Sequence, residues 1–399
     1  MRVVLICETF SKKMGYLNNT LPKYLARLGV DVHVLTTNLP PYYQLQEFDQ
    51  TFGGFNSFGA LNDGAVESFD GYTIHVLAHR RVLGYVRMVG LPAKLKELRP
   101  DVVQTYAAIG WLALDAAICK LRYGYKLFTG NHNAASTFPL ARRRAPWWDR
   151  EMLRCLVTRF LPGRMVSLVT EKCYAVAKDR AYIASQLFGV QRRKVEIQQL
   201  GTDVERFEPA SGPALEAERL TLREQLGFGE GEVVCIYTGQ LTEKKNAIIL
   251  ARAVERLRSH GHTYSSLFIG GGCQFEKIAA CDGATCLPFL PYVELPPYYR
   301  AADISVWPVD ESISTFDAAA SGLPLVVSDF VGDFSHVNGN GLVYKLNDIE
   351  SLMDALLTLR DSQVRRRMGA LGAEKMRRDF NIEAVAASRL RDYARALRA

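Results

Sequence analysis

No apolar run in this 399-residue chain approaches the ~18 residues needed to cross a bilayer. The first residues, Met-Arg-Val-Val-Leu-Ile-Cys, lead straight into a strand pattern without the charged and apolar regions of a signal peptide, so a soluble cytoplasmic protein is expected. Cysteines are few: eight, scattered, with no Cys-x-x-Cys pair, which argues for reduced, buried thiols over a disulfide framework or a zinc site. Apart from His132, the six histidines have no acidic or cysteine partners at ligand spacing, so no metal is expected. Gly270-Gly-Gly272 follows a strand but lacks the full Gly-x-Gly-x-x-Gly pattern and a ribose-binding acid, which weighs against a dehydrogenase. Repeats of solenoid period and low-complexity tracts are missing too.

What is present suits a globular α/β protein. Hydrophobic residues make up 48% and charged residues 23%, enough to bury sizeable cores, and the length favours two domains. Charge is uneven: residues 1–200 carry 27 Lys and Arg against 15 Asp and Glu, net +12, which leaves 22 against 27, net −5, for residues 201–399. The halves therefore face different partners.

Strand and helix patterns alternate in both halves. Arg2–Cys7, Val32–Leu35, Val102–Thr105, Lys126–Thr129 and Ser167–Thr170 read as buried strands, with helices such as Leu17–Leu28 and Lys178–Leu187 among them. The rhythm restarts after the turn-rich segment Gln199–Pro209, with strands at Val233–Thr238, Ser266–Gly270, Ile304–Trp307 and Leu325–Ser328. Helices near 349–359 and 362–378, then Glu383–Leu397, close the chain. This pattern predicts two doubly wound parallel-sheet domains, 1–200 and 201–380, facing across a cleft. A C-terminal helix, 381–399, is expected to pack back on the first domain.

Open α/β sheets bind ligands where strand ends and helix N-termini meet. The segment Asp310-Glu-Ser-Ile-Ser-Thr-Phe-Asp-Ala-Ala-Ala-Ser-Gly-Leu-Pro324 follows the strand Ile304–Trp307. Its hydroxyls predict a helix start near Ser314, with amides aimed at an anion and Glu311 and Asp317 placed to accept bonds from sugar hydroxyls. Val234-Cys-Ile-Tyr-Thr-Gly-Gln-Leu-Thr-Glu-Lys-Lys-Asn246 ends a second strand with two lysines in reach of a phosphate.

Together these segments resemble the retaining glycosyltransferases of family 4, which have two Rossmann-like domains, the GT-B architecture. Gly239-Gln-Leu-Thr-Glu-Lys-Lys245 resembles the family's Gly-Arg-Leu…Lys-Gly segment, and Asp317-Ala-Ala-Ala-Ser-Gly-Leu-Pro324 the second half of its Glu-x7-Glu segment. Leu200-Gly-Thr-Asp203 resembles the family's linker, Met14–Leu35 its glycine loop, helix and second strand, and Gly130-Asn-His-Asn133 the place of its active-site histidine.

The resemblance implies a nucleoside-diphosphate sugar donor held by Gly15, Gly239, Gln240, Lys245, Glu311, Ser312, Ile313, Ser314, Thr315 and Asp317. It implies catalytic parts for His132, Lys245 and Glu311, with no cofactor or metal. Lys245 would hold the diphosphate, Asp317 the ribose and Glu311 the transferred sugar. Gln240 stands where the family has arginine, Asp317 where it has glutamate, and Glu311 and Asp317 are six rather than eight apart. A non-catalytic nucleotide-sugar sensor or partner subunit and an epimerase are the rival readings.

The acceptor would be a glycan or lipid-linked hydroxyl bound by the basic first half. Ala141-Arg-Arg-Arg-Ala-Pro-Trp-Trp-Asp-Arg-Glu-Met-Leu-Arg154, five arginines and a Trp pair, and His79–Met88 would let that half sit peripherally on an anionic membrane. No nucleic-acid partner is expected.

Overall fold

The computed structural model describes residues 1–399 except 45–47, 53–60, 136–137, 142, 144–145, 147, 310–311 and 332–333. The first sheet has eight strands: β1 (Arg2–Ile6), β2 (Asp31–Thr37), β3 (Val66–Phe69), β4 (Tyr72–Leu77), β7 (Val102–Thr105), β8 (Lys126–Asn131), β9 (Thr170–Ala175) and β10 (Val195–Ile197). Their order is β10-β9-β8-β7-β1-β2-β4-β3, parallel throughout except that β3 runs antiparallel to β4. Two further strands, β5 (His79–Val82) and β6 (Tyr85–Met88), form a separate hairpin. Its turn is Leu83-Gly84, both at positive φ, the geometry of a tight two-residue connection.

The second sheet is wholly parallel, with β11 (Val233–Thr238), β12 (Tyr264–Ile269), β13 (Ala284–Leu287), β14 (Ile304–Trp307), β15 (Leu325–Ser328) and β16 (Gly341–Tyr344) in the order β13-β12-β11-β14-β15-β16. In each sheet the order reverses beside the strand that comes first in sequence, β1 or β11, as in doubly wound folds. Every residue of β7, β11, β12, β14 and β15 is buried, which is why these strands read as continuous rather than alternating patterns.

One expected strand is a helix. Ser167-Leu-Val169 closes the helix Leu161–Val169, and β9 begins only at Thr170. A short apolar run has no periodicity that separates strand from helix, and here Gly163, Val166 and Ser167 turn inward together while Leu168 stays out.

The helix Ile382–Arg398 crosses back to the first sheet. Ile382, Ala386 and Tyr393, all fully buried, join the core formed by β1, β2, β4 and the helix Leu17–Arg27. Tyr393 donates to Gln104 Oε1 (2.6 Å), Asp392 pairs with Lys172 (2.8 Å), and the buried Arg389 donates to Gln198 Oε1 (2.6 Å) and lies over the Tyr174 ring.

All eight cysteines are free, five of them buried, and burial pushes the Cys7 thiol up to about 12. Among the described residues no helix is long and apolar enough to cross a membrane.

Candidate functional site

The C-terminal ends of the two sheets face one another across a cavity of about 840 Å³. Its first wall follows β1, β7 and β8, with Cys7–Thr9, Lys13–Asn18, Thr105–Ala107 and His132. Its second follows β11, β12 and β14, with Thr238–Gln240, Lys244, Lys245, Ile269 and Trp307–Val309. Both walls are made by residues just past strand ends, where backbone groups are not committed to the sheet.

Three contacts hold the walls together. The Tyr292 amide donates to the Lys13 carbonyl (2.8 Å), and its ring lies where a side chain on Gly15 would go, 2.2 Å from an ideal Cβ. Phe52 stacks on Phe289 with centroids 4.8 Å apart. Lys23 and Tyr24 of the first helix both reach Asp203 of the linker, each at 2.8 Å. Glycine at position 15 is thus required by this close approach, and the residue also lines the cleft.

The same physics explains Gly270-Gly-Gly272. An ideal Cβ on Gly270 would lie 1.8 Å from the Gly239 carbonyl oxygen, and on Gly272 2.5 Å from that of Leu241. The glycines let two βα loops of the second sheet touch. Gly239 itself has φ 145, a left-handed backbone that favours glycine, and the neighbouring Gln240 carbonyl accepts from Tyr237 OH (3.0 Å). The turn that follows carries Lys244 and Lys245 into the cleft ahead of the helix Ile248–Ser259.

His132 sits just past β8, on a loop shaped by Asn131, whose side-chain amide donates to the Arg180 carbonyl (2.8 Å). The ring opens onto the cleft with Tyr106 beside it, centroids 6.1 Å apart. The protein around it, then the cations of Arg389 and Arg180, push its imidazole below its ordinary value, while the side chain stays exposed to the open cleft.

Not every expected donor group is where the sequence placed it. The helix Ser314–Ala320 starts behind Ile313 in helical geometry with no side-chain cap. The amides of Ser314 and Thr315 are taken by Ser312, through its hydroxyl (3.3 Å) and its carbonyl (3.1 Å), and the Thr315 hydroxyl also turns to that carbonyl (2.6 Å). Thr315 is buried and absent from the cleft lining, whereas Ser312, Ile313 and Ser314 line it. A local hydroxyl turn has satisfied the amides that were expected to face an anion. Glu311 lies outside the described residues.

Asp317 reaches the cleft wall yet is only 1% exposed. Its Oδ1 accepts from Thr202 of the linker (2.5 Å) and from Tyr292 OH (3.3 Å), so it braces linker, second sheet and interdomain turn at one point. Sequence reading missed that Thr202 and Tyr292 belong to the site, because both lie far from it along the chain.

Burial lifts the Asp317 carboxyl from 3.8 to about 7, outweighing the two hydrogen bonds that favour its ionised form, with Asp203 adding repulsion. Between pH ~4 and ~7 the folded chain holds a proton that the unfolded chain has released, so this group's contribution makes stability fall as pH rises through that window and level off above it. Asp317→Asn keeps the acceptor for Thr202 and removes the ionisation. Its melting temperature is expected to exceed the wild type's at pH 8 and to match it near pH 4; equal differences at both would show that the carboxyl does not titrate this way.

Among the described residues no group of three His, Cys, Asp or Glu side chains is arranged to hold a metal ion.

Comparison with known proteins matches this division of the chain. The sequence profile described as Glycosyltransferase Family 4 fits residues 19–206, and that described as Glycosyl transferases group 1 fits residues 232–362. A D-inositol 3-phosphate glycosyltransferase of Nocardia farcinica is 26% identical over 308 residues, which cover 72% of this chain and 64% of that protein. The chain thus matches less than two thirds of the length of this curated relative.

Sucrose-phosphate synthase from Thermosynechococcus elongatus superposes with a TM-score of 0.71 at 16% identity, over 99% of this chain and 98% of that one. The Anabaena protein HepE, in complex with UDP, gives 0.68 at 14% identity over 99% of this chain and 100% of that one. These likenesses establish the GT-B fold, two Rossmann-like domains. With the family 4 profile fitting residues 19–206 and the group 1 profile residues 232–362, the chain belongs to glycosyltransferase family 4.

Proposed function

We propose that this chain is a retaining, metal-independent glycosyltransferase that moves a sugar from a nucleoside-diphosphate sugar to an acceptor hydroxyl. The observation that carries the proposal is the pairing, in one cavity, of Lys244 and Lys245 on the second wall with His132 and the Gly15 loop on the first. Negative charge builds on the diphosphate as the bond to the anomeric carbon breaks, and a lysine held at that place stabilises it most in the transition state. The acceptor oxygen bonds to the anomeric carbon from the same face, and its proton passes to the departing phosphate. Gly239, Gln240, Ser312 and Ile313 would cradle the donor by backbone groups with Ser314 lining its pocket, Asp317 would hold its ribose, and Glu311 would contact the transferred sugar.

His132 enters as a hydrogen-bonding wall. With its imidazole pushed below its ordinary value by the surrounding protein and by Arg389 and Arg180, the neutral form is favoured at pH 7. The pH profile of kcat is expected to show no inflection near 6.5 that disappears in His132→Asn. Finding one would assign His132 an acid–base part.

The acceptor would be a glycan or lipid-linked hydroxyl, reached by an enzyme working peripherally on the cytoplasmic face of a membrane. Eight free cysteines suit a reducing compartment. UDP-sugars are the first donors to test, since HepE was crystallised with UDP. A true donor above its dissociation constant raises the melting temperature, and the transferase then releases nucleoside diphosphate in step with added acceptor. A full panel of nucleotide sugars that leaves the melting temperature unmoved would defeat the proposal.

A further inference from the structure

We infer that the outer face of the helical run Arg150–Val169, with the exposed end of the neighbouring helix Trp111–Tyr123, docks on an anionic lipid bilayer. The inference deepens the peripheral reading above and rests on it only for the identity of the acceptor.

The run is continuous, α-helical at Arg150–Cys155, π-helical at Leu156–Phe160 and α-helical again at Leu161–Val169. Cys155 and Val166 turn into the protein. Outward, at helical spacing, stand Val157 (62% exposed), Leu161 (50%), Met165 (62%) and Leu168 (63%). On the adjoining helix Ile118 is 55% and Leu121 76% exposed. Lys120, between them in sequence, donates to the Val169 carbonyl and to Glu171 (2.9 Å), which sets the two helix ends side by side. Single exposed apolar residues are ordinary, but an aligned set on two abutting helices is an interaction surface.

Charge selects the occupant. Arg122, Arg150, Arg154 and Arg164 are exposed on these helices, and the exposed acid among them, Glu151, is paired with Arg143 (3.2 Å). A second copy docked about a twofold axis would set arginines against arginines. Anionic headgroups accept the cations while the apolar side chains enter the acyl boundary. Arg142 and Arg144 precede this run in sequence but lie outside the described residues, and the surface stands without them.

The inner side of the run touches the cleft. Gly163 leaves room for the Phe188 carbonyl, 2.0 Å from an ideal Cβ, with Ile109 next at 3.0 Å, and Arg159 donates to Tyr85 OH (3.4 Å); Ile109 and Tyr85 both line the first wall. A bilayer on the outer face would lie about one helix diameter, ~10 Å, from that wall, a distance across which a lipid-linked hydroxyl can be presented.

Co-sedimentation of the full chain with vesicles, in the absence of donor and acceptor, tests the face independently of transfer. The wild type is expected to pellet with phosphatidylcholine vesicles containing about 30% phosphatidylglycerol in low salt and to be released at about 0.5 M salt. Val157→Ser/Met165→Ser/Leu168→Ser should lower partition at least tenfold with unchanged circular dichroism, and Arg154→Gln and Arg164→Gln by about fivefold each. Three results would each overturn the inference: no binding to anionic vesicles, equal binding to pure phosphatidylcholine, or a dimer in solution that the triple substitution dissolves. Vesicle binding without donor turnover would instead count only against the transferase proposal.

Discussion

Lys245→Ala is expected to lower turnover by on the order of a hundredfold, the usual cost of removing one preorganised group that meets developing charge. The fold should be nearly unaffected, because the side chain lies part-exposed on the cleft wall rather than in a core. Lys245→Arg should recover part of the loss, since a cation returns to the same loop in a different shape. Single-turnover rates with saturating donor are the decisive measurement. Wild-type rates in Lys245→Ala, with Lys244→Ala the slower variant, would move the phosphate contact to Lys244.

A chain ended after Phe380 is expected not to fold its first domain. The missing helix contributes Ile382, Val385, Ala386 and Tyr393 to the core over β1, β2 and β4, and it satisfies Gln104, Lys172, Tyr174 and Gln198 through buried or half-buried polar contacts. Each large apolar truncation in such a core costs about 3–5 kcal/mol, and each buried partner left unpaired a further ~1–3 kcal/mol, against a total stability of only about 5–15 kcal/mol. The truncated chain should be insoluble or lack a cooperative first-domain transition, while Tyr393→Ala alone should lower the melting temperature by many degrees. A truncated chain that melts with the wild type would show that the helix merely lies on the surface.

Much of the fold was legible in the sequence because parallel strands buried on both faces leave short, continuous apolar runs. Arg2–Ile6, Val102–Thr105, Val233–Thr238 and Ile304–Trp307 are found where those runs lie. Edge and hairpin strands such as β3, β5 and β16 left no such signal, since they are half exposed and short. Lys245 and His132 were singled out through the family resemblance, and both line the cleft on loops that follow β11 and β8.

The sequence by itself determined the class of the fold, the cleft between two sheets and the loops that reach it, because those follow from local hydrophobic patterns and from turns that only certain residues permit. Only the tertiary structure decided what each polar group in those loops faces. Asp317 is held by Thr202 and Tyr292, Gly15 is glycine because a ring from the other domain fills its side-chain space, and the apolar stripe of Arg150–Val169 points outward. The reason is physical: a hydrogen bond, a burial or a shifted proton depends on partners 25 to 289 residues away along the chain, as for Tyr292 with Asp317 and Tyr393 with Gln104, and no local pattern carries that information.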